Sequence, residues 1–267
     1  MSSTAAADVP PESEGLRLVL PGRSLPAGAG WDWIAGGWKL FVRSPLMWII
    51  AMVLIFVAFI LVGLVPILGG IVVQLIQPVI GAGLIVACHS LDRGGEFELE
   101  HLFAGFKRNF GSLVVVGALF LVGGILILLV FLAFIGFSVG AAFLTADPEQ
   151  IMNAVMASAL TVLVGVLVML ALMVPLVAAY WFAPALVVMH DVSPIAAMRE
   201  SFFASFRNFI PFLVYGIVLF VLAILAAIPF MLGYLVLVPV VMASTYVAYR
   251  QIFTDEVAPA APRPTML

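Results

Sequence analysis

At 267 residues, of which 65% are hydrophobic and 9% charged, with a mean hydropathy of +1.27, this chain has lipid as its solvent along most of its length. A net charge of −3, with basic residues spread along the chain, gives nucleic acid no patch to bind and excludes it as a partner. A single cysteine, Cys88, excludes an intrachain disulfide.

Residues 1–30 are rich in Ala, Pro, Ser and Gly, with Asp8, Glu12 and Glu14 ahead of any apolar run. That is the reverse of a signal peptide, so the segment reads as a disordered cytoplasmic leader and the first span as an uncleaved insertion signal. Four uncharged runs follow, at residues 44–91, 109–146, 150–190 and 208–249, each with room for about two crossings of roughly 20 residues. Turn residues divide them. Pro66-Ile67-Leu68-Gly69-Gly70 gives spans near 45–65 and 71–91, and Pro229-Phe230-Met231-Leu232-Gly233 gives spans near 210–228 and 234–251. The middle runs give one span near 111–137, a looser connection across 138–150 whose only charges are Asp147 and Glu149, and a long helix towards His190. Six spans result, followed by a disordered cytoplasmic tail at 254–267. All eleven Lys and Arg then fall on the side of the chain ends, which the positive-inside rule makes cytoplasmic.

A threefold internal repeat organises the spans. Ile34, Trp38 and Phe41 precede Arg43, Leu99, Phe103 and Phe106 precede Arg108, and Met198, Phe202 and Ser205 precede Arg207, always at offsets of nine, five and two. Those offsets share one helical face. The second span of each unit carries Pro-x-x-x-Ala, as Pro78 and Ala82, Pro175 and Ala179, and Pro239 and Ala243. The expected fold is therefore all-α and integral to the membrane: six transmembrane helices as three hairpins, each preceded by a short cytoplasmic amphipathic helix. It forms a single domain over 31–253, with units near 31–92, 96–191 and 194–253. The aromatic faces bury at the acyl boundary and leave the charges in water. Trp38, Arg43, Phe103, Phe106, Arg108, Phe202 and Arg207 are the expected membrane-interface anchors, and Pro78, Pro175 and Pro239 the expected helix bends.

The middle unit is almost twice as long as the others, and the surplus, at residues 137–159, lies on the non-cytoplasmic side. Asp147, Pro148 and Gln150 form a helix-start signal there. A helix from 148 to 190 would measure about 64 Å against a bilayer of about 30 Å, so it must project, lie flat at its start, or break near Pro175 or Pro184.

Catalytic constellations are not found. No Asp, Glu, Lys, Arg or His lies in the central part of a predicted span, which argues against proton-coupled transport, voltage sensing and intramembrane proteolysis. Gln74 and Gln77 share a face and could line a small polar seam, although bonding between helices is the simpler use. His89 beside Cys88 and His190 beside Asp191 sit at matched helix ends, but a metal needs at least three convergent ligands. No cofactor, metal or enzymatic activity is expected.

The pattern Leu25-Pro26-Ala27, Gly30-Trp31-Asp32-Trp33, Gly36-Gly37-Trp38, Phe41, Arg43-Ser44-Pro45 and Trp48 resembles a family of six-span inner-membrane proteins of proteobacteria. Pro184-Ala185-Leu186, Ser193, Ala197, Ser201 and Phe202 are similar to the helix-boundary motif of the membrane domain found beside glycerophosphodiester phosphodiesterases. The first resemblance implies fold and an inner-membrane location, with no particular activity. The phosphodiesterase catalytic domain has no counterpart here. The expected function is a multi-pass inner-membrane protein without catalytic chemistry that organises or assists a membrane partner or local lipid, with a homo-oligomer as a further option. The alternative is a transporter or channel for an apolar or zwitterionic small solute.

Overall fold

Among the described residues six helices are long and apolar enough to cross a bilayer: Pro45–Gly63, Leu68–Asp92, Phe110–Phe137, Leu160–His190, Phe209–Ala227 and Tyr234–Phe253. The computed structural model describes residues 16–143 and 148–256, with side chains described for all of these except 138–143, 148–159 and 256. In chain order the elements are β1 (Leu16–Leu18), α1 (Ala29–Arg43), α2 (Pro45–Gly63), α3 (Leu68–Asp92), a 3-10 turn (Leu99–Phe103) running into α4 (Ala104–Lys107), α5 (Phe110–Phe143), α6 (Pro148–Trp181), α7 (Ala183–His190), α8 (Pro194–Arg207), α9 (Phe209–Ala227), α10 (Tyr234–Phe253) and β2 (Thr254–Glu256).

Local chemistry sets the boundaries. Pro45, Pro184 and Pro194 stand in the first turns of α2, α7 and α8, where the missing N–H costs no helical bond. Between α2 and α3 the chain reverses through Ile67 at φ 63°, and between α9 and α10 through Phe230 and Met231 at φ 50° and 65°. Such φ values are unusual for large side chains. Glycine follows each reversal, because a Cβ on Gly69 would strike Val62 and one on Gly233 would strike Ala226.

Burial is concentrated in two spans and one short helix. About half of the α3 window and 44% of the α10 window are buried, against 6–17% for the other four spans, so α3 and α10 are the central pair. All of α7 from Ala183 to Met189 is buried beside them. Trp33, Trp48, Phe182, Tyr246, Tyr249 and Phe253 fill this centre, near the ends of the helices that lie on the side of the chain termini. On the opposite side the helix ends spread into exposed apolar tips, such as Ile67 and Phe230.

Three expectations change. Residues 16–28 and 254–256, expected to be without structure, contain a two-stranded antiparallel ribbon pairing Leu16 with Glu256, Arg17 with Asp255 and Leu18 with Thr254. The last carbonyls of α10 need donors. Val19 N–H donates to Phe253 at 2.7 Å and Arg23 N–H to Ile252 at 2.8 Å, and Arg23 also pairs with Asp255. The connection expected across 138–150 is instead helical up to Phe143 and again from Pro148; the sequence from 138 to 143 holds no proline to stop it. The helix-start signal and most of the excursion expected at 137–159 otherwise lie outside the described side chains.

The long helix breaks near one of its two predicted points. Pro175 sits inside α6, whereas the chain interrupts its helix between Trp181 and Ala183, just ahead of Pro184. Pro184 has no N–H to offer Tyr180, and its ring crowds that carbonyl. A side chain from another element repairs the gap: Phe182 N–H donates to Ser201 Oγ at 2.9 Å, and Ser201 Oγ donates to Ala178 O at 2.7 Å.

Candidate functional site

The polar groups of the protein gather where α3, α7 and α10 meet beside the terminal face. His89 and Asp92 lie one turn apart on α3, and Tyr246, Tyr249 and Arg250 lie at one-turn spacing on α10. Tyr246 OH donates to Asp92 Oδ2 at 3.0 Å and lies 3.0 Å from His89 Nδ1. Having used its proton on Asp92, the phenol accepts from His89, which assigns the ring proton to Nδ1. Arg250 completes the network with an ion pair to the same Asp92 oxygen. Rings continue the contact across the centre, from His89 to Tyr246 at 6.2 Å, Tyr246 to Tyr249 at 6.4 Å and Tyr249 to His190 at 6.2 Å. Tyr249 OH and His190 Nε2 are buried without a hydrogen-bond partner among the described residues.

A second set of contacts ties helix starts to helix ends and to the segment ahead of α1. Arg43 donates to the Leu91 carbonyl at the end of α3. Asn109, at φ 57°, donates to Val187 O at 2.7 Å and Asp191 Oδ1 at 2.6 Å, and Arg108 lies 3.8 Å from Asp191 Oδ2. Arg207 donates to Gly22 O, while Asn208 donates to Arg23 O at 2.8 Å and accepts from Leu25 N–H at 2.8 Å. Asp92 also borders an open cavity of about 990 Å³ between Arg43, Met47 and the loop 93–99. Its lining mixes Arg43 and Arg93 with Glu96 and Glu98, so it favours neither sign of charge. Nearby, the exposed Lys107 amine bonds Glu100 and holds that carboxyl below its ordinary range.

Over 211 residues the chain is 31% identical to a probable inner membrane protein of Burkholderia thailandensis, a match that covers 74% of each chain. The chain belongs to that protein's family. It is a multi-pass inner membrane protein with six candidate membrane-spanning helices. No protein-family model matches it, so the resemblance to the domain beside glycerophosphodiester phosphodiesterases rests on the residues quoted for it alone. No solved structure matches either.

The structure of this inner membrane protein distributes the expected interface residues unevenly. Trp38 is half exposed and packs at a tilt on Phe41, while Ile34 and Phe41, expected on the same outward face, turn into the core. Phe103 and Phe106 are exposed and touch each other, and Phe106 stacks on Phe110. Phe202 is half-buried against Phe203 and Phe206. The three arginines are each engaged by protein groups, as described above. Pro78 and Pro239 are buried inside α3 and α10, and Pro175 is half-buried inside α6. Gln77 is exposed and Gln74 half-buried, so the pair encloses no seam.

The network of Asp92, Tyr246 and Arg250 is not legible in the sequence. Its signal was present as turn-spaced polar residues at the ends of two otherwise apolar helices, but their partnership depends on how α3 meets α10. Among the described residues no group of three or more His, Cys, Asp or Glu is placed to hold a metal ion.

Proposed function

We propose that this protein performs no catalysis and organises local lipid or assists a membrane partner, presenting α1, residues 99–107 and α8 as a ring on the cytoplasmic face. The observation that carries this reading is the distribution of burial. A solute path needs a hydrated centre, whereas the centre here is filled by Trp33, Trp48, Phe182, Tyr246, Tyr249 and Phe253. Most of the remaining span surface faces outward and is apolar.

The ring is supported by a contact that recurs in rotation. Gly37 of α1 sits on Val240 and Ser244 of α10, so close that a Cβ would lie 2.6 Å from the Val240 carbonyl. Gly105 of α4 sits on Val79 of α3 in the same way, and Ser201 of α8 sits on Ala178 of α6. Each seat begins within one turn after a repeat proline, at Val240 after Pro239, Val79 after Pro78 and Ala178 after Pro175. Every interfacial segment thus docks on the second span of the unit before it, and the first docks on the last. Small residues are what permit such close approach. In the first two units, Arg43 on Leu91 and Asn109 on Val187 also tie the helix start to the end of that unit's own second span, while Arg207 and Asn208 of the third reach Gly22 and Arg23 instead.

Proteoliposomes containing the full chain test the reading. Uptake of a zwitterionic solute such as betaine, and of an apolar one such as indole, is expected to equal that of empty vesicles. Saturable uptake, blocked by bulky substitutions at Gln74 and Gln77, would overturn it in favour of a transporter.

A further inference from the structure

We infer that the groove between α6, α8 and α9 binds one acyl chain of an anionic phospholipid, with the phosphate held at the α8 arginines. The inference rests on the interfacial placement of α8 in the reading above. The groove encloses about 510 Å³, within the ~300–1,000 Å³ typical of sites for single organic ligands. Its walls include Val174, Val177 and Trp181 from α6, Phe206 from α8, and Phe209 and Leu213 from α9. The polar side-chain groups in the lining are the Ser205 hydroxyl, which already donates to Ala178 O at 3.3 Å, and the Trp181 indole N–H. An apolar occupant therefore leaves the Ser205 hydroxyl with its partner.

Position selects lipid as that occupant. The α6 and α9 spans are bridged at this end by α8, which packs on α6 through Ser201 and Ser205 and runs into α9 at Asn208. Val174 and Leu213, on opposite walls, are both half exposed on the surface that faces the hydrocarbon. The groove is thus continuous with the surface that faces the hydrocarbon, and its α8 end opens beside Arg207.

Charge selects the lipid class. Arg199, Phe203 and Phe206 follow one another at offsets of four and three, which places them on one face of α8, and Arg207 stands at its edge, one residue beyond Phe206. Phe203 and Phe206 are exposed there, and Phe206 enters the groove wall. Arg199 is exposed and has no ion pair or hydrogen bond to another described residue, while Arg207 donates to Gly22 O. A phosphate bearing net negative charge gains from these guanidiniums. A zwitterionic headgroup gains less.

Native mass spectrometry of the full chain, purified in detergent and given equimolar phosphatidylglycerol and phosphatidylcholine, tests the site. We expect one retained lipid per chain and a preference for phosphatidylglycerol of about fivefold, the effect of roughly one basic residue at an anionic surface. Arg199→Gln should remove most of that preference, and Val177→Trp, which fills the groove, should remove the retained lipid. Equal retention of the two lipids by the unmodified chain would overturn the inference, as would retention unchanged by Val177→Trp. Should Val177→Trp fail to fold, quenching by phosphatidylglycerol with brominated chains decides. The quenching lost in Trp181→Phe must exceed that seen with brominated phosphatidylcholine, and equality overturns the site. Saturable uptake in the proteoliposome assay would remove the non-transport reading while leaving a retained phosphatidylglycerol in place. Loss of lipid preference without uptake would remove only this site.

Discussion

A single hydroxyl holds together the break that proline makes in the longest helix. At Phe182 the intrahelical bond to Ala178 is replaced by two bonds through Ser201 Oγ, one accepted from the amide and one donated to the carbonyl. The hydroxyl suits this position because it donates and accepts at one atom. Ser201→Ala should leave the Phe182 N–H without its partner in a fully buried setting. The expected loss of stability is about 1 kcal/mol, between the ~0.6 kcal/mol average for bonds between helices in lipid and the ~1–3 kcal/mol cost of an orphaned buried donor. Unfolding in bicelles, measured by steric trapping, reads this difference. A variant as stable as the parent would mean that Phe182 finds another acceptor and that Ser201 serves only packing.

At the scale of elements, the same proline separates what the sequence discloses from what it hides. Pro184 announces a helix break because its effect is local, and the reversals at Pro66 and Pro229 are legible for the same reason. Spans are legible because membrane thickness fixes their length. Ser201 as the repair, Tyr246 and Arg250 as partners of Asp92, and the ribbon at the chain ends are not legible, since each joins residues far apart in the chain. The ribbon is the clearest case. A Pro- and Gly-rich leader reads as disordered, yet its backbone supplies the donors that the end of α10 lacks. Gly22 and Arg23 in turn receive Arg207 and Asn208 at the start of α9. Removing residues 1–25 should therefore loosen two sites at once. Amide hydrogen exchange at residues 247–253 and 208–212 should accelerate about tenfold, equivalent to ~1.4 kcal/mol of lost protection, while residues 79–91 keep their rates. Acceleration spread evenly over the chain, or none at all, would deny the ribbon this local role.

For the whole molecule, the ribbon and the arginines constrain topology from independent directions. The ribbon brings residue 16 to residue 256, so the chain must cross the bilayer an even number of times between them. Six spans meet that condition, and the short reversals at 64–67 and 228–233 then lie on the far side. We expect charge to decide which side is which, because the ten described Lys and Arg lie on the side of residues 16 and 256 and basic loops tend to stay in the cytoplasm. Alkaline phosphatase fused after residue 67 or residue 230 should consequently be active, and the same enzyme fused after residue 256 inactive. A fluorescent protein that folds only in the cytoplasm should report the converse. Activity after residue 256 together with inactivity after 67 would invert the protein in the membrane. The arginines of α8 and the aromatic segments would then face the periplasm, and the cytoplasmic ring would fall with them. Activity after residue 256 and after 67 alike would instead require an odd number of spans, which the pairing of Leu16 with Glu256 forbids in the folded chain. That result would count against the ribbon before it counted against the charge rule.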